Sequence, residues 1–446
     1  MSISLTIANE ILKVDYQDIV RDVMNSATVL NARLERDWDS VQGELVYFGL
    51  NVSRNNSFAS RSGGTGTYLP PAGAQGYDAS TFTIPEMYGR LQVMQRDIKA
   101  SRNSKGALLR ILDAEVRNYI RDCKVALNRM NYGDGSGIVA RVLSITDATT
   151  FVVQTEHNHG SNPTYGSTVT YWGTRFLQPG MLISFAAAKT SGVTKIAGIV
   201  GLSGTATDTY VQVVSADRVT GIVVVDTLGG VALNGGGGTD VAVDDYVAIH
   251  GSRGNDQMGL VGIVDDGSRA DERFFDVFQG IDRSDPAKNW WNANVMHNSG
   301  IDRNISLRDL QDLCDEIEIQ GDGMVNLMLT TYGIRSEILA LLLADKRFSA
   351  PFEMELDGGF RSLSYNGIPI VPDKDAPKHM LFGMDESTVK FYSMSDMEWL
   401  EEDGSVLHRV PNEPKYEATG FLYRQMGCTD PRNLGRIDDL VDPTNL

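Results

Sequence analysis

His157 and His159, two residues apart in the tripeptide HNH, offer the nitrogen ligands that a transition metal favours. No Cys, Asp or Glu pair stands at a spacing that would complete four ligands, and the tripeptide lies in a polar stretch, so it reads as a solvated loop. Residues 62–68 (SGGTGTY) have the glycine content of a phosphate-cradling loop. They lack the GK[ST] ending that sets a lysine on the terminal phosphates, and no helix follows directly, which leaves a flexible hairpin tip. Residues 132–137 (YGDGSG) resemble a calcium loop only in Asp and Gly; without alternating acidic ligands and a closing Glu they read as a helix stop and turn.

The remaining chemistry-bearing groups are equally plain. Trp290 and Trp291 would make a sugar-stacking platform, but adjacent residues of a strand face opposite ways, so packing is the expected role. The acidic runs DEIEI (315–319) and EWLEED (398–403) read as solvated faces or subunit contacts. Cys123, Cys314 and Cys428 are far apart and odd in number, as free thiols of a reducing compartment are. GxSxG, HExxH and a Cys–His pairing are all missing, so no catalytic residue, metal or cofactor is expected.

Bulk properties narrow the class. The chain has 446 residues, 42% of them hydrophobic and 22% charged, enough for two or three packed units. No apolar run approaches the roughly 20 residues of a membrane helix, and the amino terminus lacks the basic and apolar blocks of a signal peptide. A net charge of −18 with no Lys/Arg block argues against intrinsic affinity for a phosphate backbone.

The elements that would position these residues come in a distinctive order. Residues 16–36 place Ile19, Val20, Val23, Met24, Leu30 and Leu34 at helical spacing, too isolated to form a core alone. Two alternating stretches, LVYFGLNV and DASTFTI (78–84), flank NNSFASRSGGTGTYLPPAGAQGY and predict a long β-hairpin. A lone two-stranded ribbon is marginal in water, so the hairpin is expected to be either disordered or completed by a neighbouring molecule. Residues 105–132 form the clearest helix: Leu108, Leu112, Val116, Tyr119, Cys123, Leu127 and Met130 step by three or four. From Ile138 short β-branched runs (RVLSITDATTFVVQTE, TYVQVVSADRVTGIVVVD, DDYVAIHG) predict a barrel or sandwich over 138–255. Mixed α/β texture then returns. ISLRDLQDLCDEIEIQ opens on Ser306 and Asp309, a capping box. VNLMLTT, YGIRSEILALLLADKR, HMLFGM, TVKFYSM and YEATGFLYRQMGC alternate strand and helix character, and YNGIPIVPD reads as a strand kept to an edge or an end by its prolines.

This order resembles the major capsid proteins of tailed phages, the Hong Kong 97-like fold. NNSFASR with the following glycines and YLPPAG is similar to the tip of that family's E-loop, and DAEVRNYIRDCKVALNRMNYGDGSG to its spine helix and exit. In simpler members an apolar GL-type strand follows closely; here MGLVGIV (258–264) comes some 120 residues later, with the β-rich stretch between. The resemblance implies an α+β fold with an N-terminal arm (1–45), an E-loop hairpin (46–92), a P-domain with the spine helix (93–137 and 256–321), an inserted β-rich domain (138–255), an A-domain (322–384), and return strands with a C-terminal tail (385–446).

It further implies a structural shell subunit and no enzyme, made in a bacterial host cytoplasm and residing in the virion. Its partner would be itself, in hexamers and pentamers, with portal, scaffolding and decoration proteins as further candidates. The enclosed double-stranded DNA would be held without sequence-specific contacts and without a membrane. Phe58, Tyr68, Leu69, Pro70 and Pro71 at the hairpin tip are the expected intersubunit contacts. Some members cross-link a lysine of this loop to a neighbour's asparagine, and 46–92 contains no lysine. Rival readings are an encapsulin-type bacterial shell, a carbohydrate-binding or adhesin β protein suggested by 138–255, and a cytosolic hydrolase, which the missing constellation disfavours.

Overall fold

In the computed structural model the described residues are 28–53, 55, 57–58, 72–96, 105–154, 172–189, 210–226, 232–234, 240–267, 276–299, 301–345, 353–355, 361–401 and 405–443, with backbone alone for 105–114, 343–345, 353–355 and 361–362. The amino-terminal helix expected over 16–36 lies mostly outside them. Within them, helix α1 runs only from Val29 to Arg33: Thr28 caps its start, Oγ1 accepting from Asn31 N at 3.4 Å. Glu35 and Arg36, expected to be helical, instead belong to a strand, Glu35–Asp37, pairing in parallel with Val389–Trp399, where main-chain hydrogen bonds outweigh the helical spacing.

Helix α2 (Lys105–Tyr132) lies across a sheet in which Val389–Trp399 pairs antiparallel with Lys415–Cys428, and that strand with Glu86–Met94. Alternation alone does not name a strand's partner. Residues 86–92, grouped with the hairpin on sequence, therefore turn out to belong to this sheet. Val116, Tyr119 and Leu127 are buried against Leu91, Val93, Trp399 and Leu422, with Cys123 at the rim. Gly89 and Gly420 pair across the sheet, and a Cβ on either would lie within 2.6 Å of Tyr119 Oη. That glycine notch lets the Tyr119 ring stack on Trp399 at 5.3 Å.

The stretch from 138 to 249 closes into a six-stranded antiparallel barrel, ordered Ile222–Asp226, Thr150–Gln154, Ile138–Ile145, Tyr246–Ile249, Leu182–Ala186, Val211–Ala216. Alternate Val, Ile and Phe residues fill it; Phe151 meets Phe185 edge-on at 5.2 Å. Closure removes free edges, and among the described residues no strand of the barrel pairs with a strand outside it.

MGLVGIV is a single helical turn, α3 (Leu260–Ile263), where a strand was expected. Its carbonyls face two buried arginines: Arg283 donates to Gly262 O and Ile263 O at 2.8 and 2.6 Å, and Arg436 to Val264 O at 2.8 Å. Those charged donors satisfy the otherwise orphaned end of the turn.

A seven-stranded mixed sheet completes the molecule, in the order Asn294–Met296, Leu434–Ile437, Leu381–Met384, Leu327–Thr330, Ile368–Pro372, Arg361–Tyr365, Glu353–Glu355. Helix α4 (Leu307–Gly321) starts on the expected capping box, Ser306 Oγ accepting from Asp309 N and Asp309 from Ser306 N. Its Leu310, Leu313 and Ile317 bury on the sheet with Ile334 and Ile338 of helix α5 (Tyr332–Asp345). Ile368–Pro372 is an inner strand, not an edge: Pro372 ends it and Pro369 is its second residue, so the missing N–H groups spare its centre.

Candidate functional site: hairpin root and barrel neck

Strand Leu45–Ser53 pairs with Gly76–Thr83 as an antiparallel ribbon. Alternation sends Val46, Phe48 and Phe82 to one side, where Phe48 and Phe82 meet Tyr392 of the α2 sheet at 6.1 and 5.3 Å. The opposite side carries Tyr47 (56% exposed), Leu45 and Tyr77 (74%), which no described residue covers. Phe58, toward the tip, is 97% exposed. Tyr68, Leu69, Pro70 and Pro71 lie outside the described residues, as do SGGTGTY and the side chains of Leu108 and Leu112. The ribbon is thus anchored at its root by aromatic contacts and presents an apolar outer face.

A second aromatic group sits nearby on the outer face of the α2 sheet. Tyr88 and Tyr423 share a hydroxyl contact of 2.9 Å, with Phe421 at 5.1 Å from Tyr423. The hydrogen bond shared with the Tyr423 hydroxyl and the one the Tyr88 hydroxyl donates to the Glu86 carboxylate push the Tyr88 phenol well above its usual range, so it stays neutral.

Behind the root, a buried arginine joins four distant segments. Arg424 donates to Gln257 Oε1 (2.8 Å), Asn131 Oδ1 (3.0 Å) and Asn31 Oδ1 (3.1 Å), while its guanidinium lies 4.4 Å from the Phe391 ring centre. Among the described residues no carboxylate bonds to it; amide oxygens and a ring face carry the charge, and burial lowers its pKa to about 9. Nothing in the spacing of these four residues announced the cluster.

The barrel leaves and rejoins the body at one point. Asp134 and Met258 form an antiparallel bridge, and Gly254 N donates to Ser136 O at 2.8 Å. Gly137, at φ +72°, lies so close to Ser252 that a Cβ would stand 2.1 Å from its carbonyl oxygen. The Asp134 carboxylate, read on sequence as part of a turn, is buried and bonds to Ser136 N (3.0 Å) and Lys189 Nζ (3.2 Å).

Trp290 and Trp291 sit on a 3-10 turn (Pro286–Trp291), not on a strand as assumed. Asp285 caps that turn and Pro286 presets its first φ. Trp291 is buried, donating Nε1–H to Phe278 O at 3.1 Å, which makes it core. His157 and His159 lie outside the described residues. Among the described residues no three His, Cys, Asp or Glu are placed to hold a metal, and no helix is long and apolar enough to cross a membrane.

No family model and no curated protein matches the chain. Solved structures do. The capsid asymmetric unit of cyanophage A-1(L) matches at 10% identity and a TM-score of 0.50, covering 96% of this chain and 94% of that one. The holo-SrpI encapsulin complex of Synechococcus elongatus (8%, TM-score 0.42, 93% and 88%) and a chain of Microbacterium phage Oxtober96 (10%, 0.42, 92% and 90%) are also similar. The chain has the Hong Kong 97-like fold of tailed-phage capsid proteins, along nearly its whole length.

Proposed function

We propose that the chain is the major capsid protein of a tailed phage. It assembles through pentamers and hexamers of itself into an icosahedral shell that encloses double-stranded DNA without reading its sequence. The reading rests on the fold together with one observation: a hairpin fixed at its root by Phe48, Phe82 and Tyr392 whose outer face, Leu45, Tyr47 and Tyr77, is left exposed. Exposed large apolar side chains along one face of a projecting ribbon suit an interaction site, and subunits of a closed shell supply each other's missing cover.

On this reading Thr28–Arg33 belongs to the amino-terminal arm, α2 to the spine, the strands of the seven-stranded sheet between 322 and 384 to the A-domain, and the barrel is an insertion between α2 and α3. The Asp134–Met258 bridge supports the insertion, because the chain resumes where it left off. The charge of −18 suits a wall that must not adhere to its cargo. Negative-stain images of the purified chain should show closed, uniform particles. Exclusively monomeric protein under all assembly conditions would overturn the proposal, and shells that retain a protein cargo in place of nucleic acid would move it to an encapsulin-type compartment.

A further inference from the structure

The tight hairpin Val277–Asp282 turns on Gln279 and Gly280, at φ +50° and +79°. Two consecutive positive φ values make a type I′ turn, whose first position favours Asn, Asp or Gly. Gln is a poor choice there, and a residue that violates its local preference in a buried place usually has another task. Gln279 is buried, and its side chain reaches two elements at once. Its amide is satisfied when the nitrogen faces Cys428 O (2.8 Å) and Ser80 Oγ (3.2 Å) and the oxygen faces Cys428 N (2.9 Å). Its own carbonyl accepts from Thr81 N at 2.9 Å.

Ser80 and Thr81 belong to the projecting hairpin, and Cys428 ends the long strand of the α2 sheet. Gly280 and Gly427 allow the close fit, since a Cβ on the first would meet Thr81 Oγ1 at 2.7 Å and on the second the end of the Gln279 side-chain amide at 2.7 Å. We infer that Gln279 is a positioning residue for assembly: its amide pins the hairpin root to the Lys415–Cys428 strand and so sets the angle at which the hairpin projects. The inference rests on the hairpin being the assembly arm. The aromatic contacts alone resist rotation weakly, because ring faces slide; a bidentate amide at the strand end does not.

Gln279→Asn tests this. Asn suits the turn better but is one methylene shorter, so it cannot span Ser80 and Cys428. The thermal midpoint should stay level or rise, while hydrogen exchange of residues 46–50 and 80–82 quickens about tenfold and the yield of closed particles falls about tenfold. Gln279→Gly, which suits the turn and has no amide, should behave likewise. Wild-type particle yield and size from either variant would overturn the inference, and so would a marked loss of thermal stability in both, which would make Gln279 ordinary structural glue. Deleting the hairpin tip separates the two readings: if that deletion abolishes shells and Gln279→Asn does not, only the positioning role fails.

Discussion

Arg175 of the barrel meets Asp375 at 2.8 Å, on a carboxylate with no exposed side-chain surface, and Asn128 of α2 donates to that same carboxylate at 2.6 Å. The loop that leaves strand Ile368–Pro372 therefore ties the barrel, the long helix and the seven-stranded sheet together. Replacing Arg175 by Met removes a charged partner from a buried acid and should cost about 2 kcal/mol, less than for a fully buried pair because Arg175 is partly solvated. The urea midpoint measures it, and Asp375→Asn in the same background should recover part of the loss. An unchanged midpoint would show that the pair does not hold the barrel.

The barrel itself should be separable. A short Gly/Ser linker in place of 138–255 spans a gap that the Asp134–Met258 bridge already closes. Asp134→Asn and Asp375→Asn belong in the same chain, because Lys189 and Arg175 leave with the barrel. Circular dichroism should retain the helical signal of α2, α4 and α5; aggregation would mean the barrel is part of the body's core.

Asp373 gives a pH signature. Burial, with the charge of Asp375 adding to it, raises its carboxyl above the usual value despite the Asn128 and Tyr132 hydrogen bonds. Between the ordinary and the raised value the folded chain keeps a proton that the unfolded chain has lost. Stability from this group thus falls as pH climbs through that window, and the penalty is complete above it. Asp373→Asn, which keeps the accepting oxygen, should raise the urea midpoint at pH 7, and the two proteins should converge in acid. A lower midpoint at pH 7 would contradict the burial argument.

What could be read from the sequence depended on periodicity. The 28-residue α2 and the Ser306 capping box are strictly local signals, and the structure has both where spacing put them. MGLVGIV misled because an apolar run of that length suits strand or helix equally, and its carbonyls are met by Arg283 and Arg436, 20 and 172 residues further on. The Arg424 cluster and the Gln279 amide were invisible for the same reason: their partners lie up to 393 residues away, and no alternation records them.

Assembled particles should carry no covalent bond between chains. Burial pushes the thiols of Cys123 and Cys314 up to about 11 and that of Cys428 up to about 12, so thiolate is scarce at neutral pH. The hairpin range 46–92 also has no lysine. A denaturing gel of particles should show one band near 48.8 kDa with or without reductant. A ladder of higher bands would reveal a cross-link from another residue.

The most direct test of the shell assignment is sedimentation of the full chain beside a chain lacking 55–72, which removes Phe58, Tyr68, Leu69, Pro70 and Pro71. Losing even 1–2 kcal/mol at each repeated contact shifts association by roughly tenfold or more per contact. The full chain should sediment as large uniform particles. The shortened chain should melt cooperatively and sediment only as monomers or small rings. Particles of normal size and yield from the shortened chain, or monomers alone from both, would contradict the account.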